Sequence, residues 1–310
     1  MEISLILLEK VAELFLILIM GYLIVKARLL KPEDSKTISV LLVYLITPFM
    51  IINSFLVDIT PQVLSGLVFT TLVSVAAHLL LLLFAAAFGK LFHLNLIERL
   101  TIVYTNAGVL VIPLVQAILG PEYVVYSCGF LAVQMVLLWT HCRGKISGET
   151  GVQWKKVFLN VNILAIGTGA LLFACGIRLP ALLRETIGSV GSMMGPMGML
   201  LAGTVIADIP LGKAFLSLRN YLPTALRLLA CPLLLLALFR LFRPMDWIED
   251  GKNLLLVAYL ACTTPACATL TSIAQLYDNG AKQASILYVL TTLLSIATMP
   301  VMIGLFSALL

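Results

Sequence analysis

The stretch Thr105-Asn106-Ala107-Gly108-Val109-Leu110-Val111-Ile112-Pro113 places an amide side chain, a glycine and a proline in the middle of the apolar segment Ile97–Leu119. The Asn106 amide offers two donors and two acceptor sites. Ala107 and Gly108 leave the backbone open to a close approach. Pro113 removes an N–H and frees a carbonyl about one turn earlier. In hydrocarbon each unpaired amide costs several kcal/mol, so an interrupted helix survives there only beside protein or a polar cavity. The chemistry of such a stretch is binding, because half-helix ends aim partial charges at a solute near the membrane midplane. The plainer alternative is a Pro-kinked helix whose asparagine bonds a neighbouring helix.

A second cluster, Thr263-Thr264-Pro265-Ala266, lies in the apolar segment Asn253–Leu276 and is followed by Cys267, Ala268 and Thr269. Where two broken helices cross, their N-terminal ends present donors and positive partial charge, which suits a carboxylate better than a cation. Threonines back-bonding to the preceding turn are the alternative there. Ionisable groups inside apolar segments are functional suspects. Arg227 is an anion-binding or gating group, or a cation that snorkels to the interface. His78 is a proton carrier or a neutral packing histidine, and Glu13 is a candidate proton-coupling carboxylate. Gln134 and Asn53 are placed to line a cavity, and His93 and His141 fall at segment ends where water reaches them.

The six cysteines form no CxxC pair, and the Cys262–Cys267 spacing does not suit zinc. They are read as small packing residues, and no metal site is expected. There is no G-x-S-x-G, H-E-x-x-H or phosphate-loop motif, so the chain is not read as an enzyme. Any transport is then driven by a gradient or runs downhill. No cofactor is expected beyond a coupling proton or sodium ion.

The elements that must hold these residues are membrane helices. Hydrophobic residues make up 61% of the chain and charged residues 11%, and mean hydropathy is +1.08. Soluble domains carry about 25% charge, so a soluble globular protein is excluded. The +5 net charge bears on membrane orientation, and no basic stripe with interleaved aromatics suggests nucleic acid. Glu9, Lys10 and Glu13 interrupt the first apolar run, so it is expected to be a retained helix, not a cleaved signal.

Runs of about 20 apolar residues predict ten spans, near residues 3–25, 36–56, 62–91, 97–119, 123–142, 157–176, 186–207, 220–241, 253–276 and 284–309. The fold class expected is an all-α polytopic membrane protein with two five-helix units, residues 1–145 and 157–310, joined by a cytoplasmic linker over 146–156. Putting both termini outside leaves thirteen Lys and Arg on the cytoplasmic side and six on the outer side, with Arg227 inside a span, which accounts for all 20. Because five is odd, the second unit enters from the opposite side, so the units are inverted repeats. Pro48 and Pro196 kink the second and seventh spans. The small and flexible run from Gly188 to Met199 is read as helix packing, with a sliding or dimer interface as the alternative.

Several motifs resemble the auxin efflux carrier family. Asn106-Ala-Gly108-Val-Leu-Val-Ile-Pro113-Leu is similar to its N-x-G-x-x-G-x-P-L motif, with Val111 in place of the second glycine. Pro265-Ala-x-Ala268 with Ala274, Tyr277 and Asp278 is similar too, as are Thr291-Thr-Leu-Leu-Ser295-Ile-x-Thr298-x-Pro300, Gly21-Tyr22 and Leu45-x-x-Pro48. The usual Asn-Pro before the sixth span reads Asn160-Val161 here, and no long cytoplasmic loop is present. The resemblance covers essentially the whole chain and implies a prokaryotic member of the malate and malonate permease type. It also implies a ten-helix elevator transporter of small organic anions, similar in fold to bile-acid symporters and sodium/proton antiporters, with broken fourth and ninth helices. Spans one, two, six and seven would form a scaffold and a homodimer interface in a cell membrane. Asn106 would bind the solute carboxylate near Pro113, with Thr264 and Pro265 completing the crossover. A sodium symporter or cation/proton antiporter of the same fold is the first rival, and a non-transporting membrane sensor the second.

Overall fold

The computed structural model describes residues 2–57, 60–148, 155, 158–208 and 216–310. Among the described residues the regular elements are helical, apart from one isolated antiparallel bridge. The first apolar segment is α1 (Glu2–Lys26). The second is α2 (Ser35–Leu41), a π-helical turn, and α3 (Thr47–Ser54). The third is α4 (Pro61–Leu91), and the fourth is divided into α5 (Leu96–Val103) and α6 (Ala107–Ile118). The fifth is α7 (Val124–Leu137), which runs through a π turn into α8 (Arg143–Ser147). The sixth is α9 (Val161–Ala174), and the seventh is α10 (Ala181–Ser192) with α11 (Met194–Asp208). The eighth is α12 (Tyr221–Ala225), a π turn, and α13 (Cys231–Phe242). The ninth is divided into α14 (Gly251–Thr263) and α15 (Ala268–Leu276), and the tenth is α16 (Ala281–Leu309). Most of the 146–156 linker lies outside the described residues.

Among the described residues six helical stretches are long and apolar enough to cross a bilayer, and four shorter apolar helices accompany them. Leu16, Leu72, Leu83 and Leu182 are each at least 59% exposed on these helices, a surface suited to lipid and not to water. The chain is a multi-pass membrane protein.

Local chemistry sets the helix ends. Thr60 caps α4 by accepting from Val63 N, with Pro61 behind it. Asn95 and Glu98 form a reciprocal capping box at the start of α5. Asn160 caps α9 by accepting from Asn162 N at 3.0 Å, so no proline is needed to start that helix. The π turns Leu42–Ile46 and Leu226–Ala230 each end two residues before a proline, Pro48 and Pro232. The proline ring clashes with the carbonyl four residues back, and widening the turn relieves that clash. Thr47 Oγ1 fills the resulting gap by donating to Leu42 O at 2.7 Å.

Small residues set how closely helices approach. A Cβ on Gly203 would collide with Leu18 O of α1, and one on Gly21 with Leu200 O of α11. A Cβ on Gly191 would lie 3.0 Å from Met50 Cα. The Gly188–Met199 run is therefore packed within the chain at Gly191, against α3.

Candidate functional site: the crossover and its cavity

The two interrupted helices meet. α5 stops at Val103, Tyr104 takes an extended conformation (φ −92°, ψ 121°), and α6 starts at Ala107. α14 stops at Thr263, Thr264 is extended (φ −66°, ψ 155°), and α15 starts at Ala268. The extended segments pair antiparallel at Thr105 and Ala266. Asn106 N donates to Pro265 O at 2.8 Å, and Cys267 N donates to Tyr104 O at 3.0 Å. Thr291 of α16 accepts from Ala266 N at 3.1 Å. Backbone groups that would be orphaned in mid-membrane therefore satisfy one another. Pro113 does not make the break: it lies inside α6, seven residues past Asn106, whereas Pro265 sits in the break itself.

The crossover separates the helix ends by sign. The C-terminal ends of α5 and α14 converge on Arg227, which is completely buried. Its guanidinium donates to Ile102 O at 2.9 Å, to Cys262 O at 2.6 Å, and to Thr264 O at 3.1 and 3.2 Å. A planar fork with several donors is the side chain suited to several acceptors at once, and its charge opposes the negative ends of both helix dipoles. Arg227 does not snorkel, and it is absent from the lining of the cavity that the other helix ends face.

The N-terminal ends of α6 and α15 face the other way, into a cavity of about 290 Å³. Asn106, Gly108 and Val109 line it from α6, and Cys267, Ala268 and Thr269 from α15. Gln134 and Trp139 contribute from the fifth segment, Asn160 and Asn162 from the start of α9, and Thr47 and Met194 from the second and seventh segments. No acidic residue lines it among the described residues. Asn106 Nδ2, Trp139 Nε1 and Asn162 Oδ1 are all buried without a hydrogen-bond partner. Buried polar atoms left in that state mark a place where a polar solute or water belongs. A Cβ on Gly108 meets nothing within 4 Å, so that position opens onto free space.

The remaining expected site residues are dispersed around this cavity. Gln134 touches it, but its amide is engaged: Oε1 accepts from Thr105 N and Oγ1 at 3.2 and 2.8 Å, and Nε2 donates to Thr105 O at 2.8 Å. Thr263 and Thr264 donate back to Leu260 O and Ala261 O at 2.8 and 2.9 Å and are buried. Pro265 and Ala266 contribute backbone to the crossing, and Ala107 is wholly buried. His78 Nδ1 lies 2.8 Å from Ser74 O, and its ring packs 4.4 Å from that of Phe130, outside the cavity. His141, expected in water, is instead half-buried, with Nδ1 2.8 Å from the Tyr104 hydroxyl.

Glu13, Asn53 and Pro113 line a second cavity of about 500 Å³, with Gln116 and Met194. The two cavities occupy opposite ends of the same helices. In the fifth segment Val124 faces the larger one and Trp139 the smaller, about 22 Å apart at 1.5 Å per residue. Met194 lines both, is buried, and lies 3.5 Å from Thr47 Oγ1 through its sulfur.

Sequence reasoning missed Trp139 and Asn162 as lining residues. The available signal was a lone tryptophan five residues after Gln134 and two asparagines opening the sixth segment. Residues 6–151 and 149–303 match the profile of a protein family described as membrane transport protein. No curated protein matches the chain.

Proposed function

As the chain belongs to the auxin efflux carrier and membrane transport protein family, we propose that it is a secondary transporter of small organic anions, with the cavity beside Asn106 as its solute site. The observation that carries this reading is the pairing of two helix N-termini with unpartnered donors, Asn106 Nδ2 and Trp139 Nε1, around one cavity that no acidic residue lines among the described residues. Helix N-termini and neutral donors stabilise a carboxylate without needing a cation. The volume of about 290 Å³ is at the lower end for small-molecule pockets, which favours short carboxylic acids such as malonate or malate over bulky amphiphiles.

In this reading the ten helical segments are ten crossings in two inverted repeats. The crossover and its cavity move as a unit against a scaffold of α1, α2, α3 and α9–α11, through which the protein dimerises. The two cavities at opposite ends of α7 and its π turn suit alternating access. The Lys and Arg bias puts both termini outside the cytoplasm. A sodium-coupled rival would hold its ion on freed carbonyls and hydroxyls of the broken helices. Here the carbonyls of Ile102, Cys262 and Thr264 are already occupied by Arg227, which favours transport without sodium.

The test is malonate uptake into proteoliposomes. Asn106→Ala is expected to abolish uptake while the melting profile and oligomeric state in detergent stay as in the wild type. Uptake by that variant at the wild-type rate removes the assignment of Asn106. Uptake by the wild type that requires sodium removes the sodium-independent reading.

A further inference from the structure

A second cavity, of about 450 Å³, adjoins the solute site and shares Ser39, Val40, Leu201, Ala268 and Ser272 with it. Its own additional lining is Ser35, Lys36, Val205, Thr271 and Tyr288. Two features distinguish it. Lys36 is exposed and is the only charged side chain lining either of these two cavities among the described residues. Thr271, on the inner wall, is 7% exposed, and its Oγ1 has no hydrogen-bond partner. Ala268, Thr271 and Ser272 stand at i, i+3 and i+4 of α15 and so share one face. That face runs from the N-terminus of α15, in the solute site, out along the adjoining cavity.

From this arrangement we propose that the adjoining cavity is an antechamber with its own carboxylate subsite, where Lys36 and the Thr271 hydroxyl hold a small organic anion before it reaches Asn106. A hydroxyl on a membrane helix normally donates back to its own helix, as Thr70, Thr224 and Thr291 do. Thr271, which lines the passage, does not, and its buried hydroxyl is left with an unused donor; no acidic residue lines that passage among the described residues. A cation at the mouth of a low-dielectric cleft raises the local concentration of anions and their rate of arrival. A carboxylate at the mouth meets Lys36, then the Thr271 donor, and then the helix N-termini. The contribution of Lys36 is electrostatic and exposed, so salt screens it.

This inference rests on the transport reading and deepens it. Malonate is the probe, and its transport is measured separately from each face in right-side-out and inside-out vesicles. Lys36→Gln is expected to raise KM about three- to tenfold from the face where Lys36 lies, at low ionic strength, with little change in kcat. That increase should shrink in about 0.5 M salt and be reversed by Lys36→Arg. Thr271→Val, which keeps the shape and removes the hydroxyl, is expected to raise KM from the same face at every salt concentration. KM from the opposite face should not change in either variant. If the wild type carries malonate and both variants match it from both faces, the antechamber is overturned and the transport reading stands. A wild type that carries neither malonate nor any other short carboxylate removes both.

Discussion

Arg227 makes the sharpest prediction at the scale of a single residue. It is a permanent cation whose guanidinium is bonded by backbone carbonyls, and its charge is balanced by the carbonyl ends of two helices. Arg227→Met would leave Ile102 O, Cys262 O and Thr264 O without that donor in a buried place. Each unsatisfied carbonyl costs about 1–3 kcal/mol, so the loss is several kcal/mol, enough to unfold or greatly lower the melting temperature of the detergent-solubilised protein. Arg227→Lys keeps the charge but offers a compact ammonium in place of a fork, and should melt between the two. If the methionine variant is as stable as the wild type, Arg227 does not hold the crossover together. The sequence marked this arginine as exceptional without revealing its task, because the task depends on carbonyls 35 to 125 residues away in the chain.

Helices and their breaks were legible in the sequence to the extent that their causes are local. Apolar length and the two mid-span polar clusters lie within a few residues of what they produce. The position of the first break was not legible from Pro113, the most conspicuous breaker, because the break is made by pairing with Pro265 and Cys267 in the other half of the chain. Nor could composition separate glycines that admit a neighbouring helix from those that face space. The structure does separate them, and one substitution made at two sites tests the difference. Gly203→Leu drives a side chain into the α1 backbone at Leu18, an overpacking that costs about 1–3 kcal/mol or more and should lower the melting temperature. Gly108→Leu enters open space, so the protein should melt as the wild type does yet lose most malonate uptake by filling the cavity. Equal melting of the two variants would contradict the packing described at α1 and α11.

At the scale of the whole molecule, the cavities matter by where they end. The cavity of about 500 Å³ and that of about 290 Å³ approach each other from opposite ends of shared helices, and Met194 belongs to the walls of both. Where water and salt fill such recesses they carry each bath's electrical potential inward, and the membrane voltage then falls across the layer between them, to which Met194 belongs. Moving one elementary charge through the full potential is worth about 2.3 kcal/mol per 100 mV. A monovalent anion crossing that layer would experience the share of the potential that falls across it. Uptake of a singly charged carboxylate should therefore respond steeply to an imposed potassium diffusion potential, and Met194→Ala, by thinning the layer, should add a leak of small anions. Rates that ignore a potential of about 100 mV would mean that the voltage falls elsewhere. In the transport reading, the layer that Met194 shares between the two cavities would then set how strongly the cell's own electrical state acts on a charged solute.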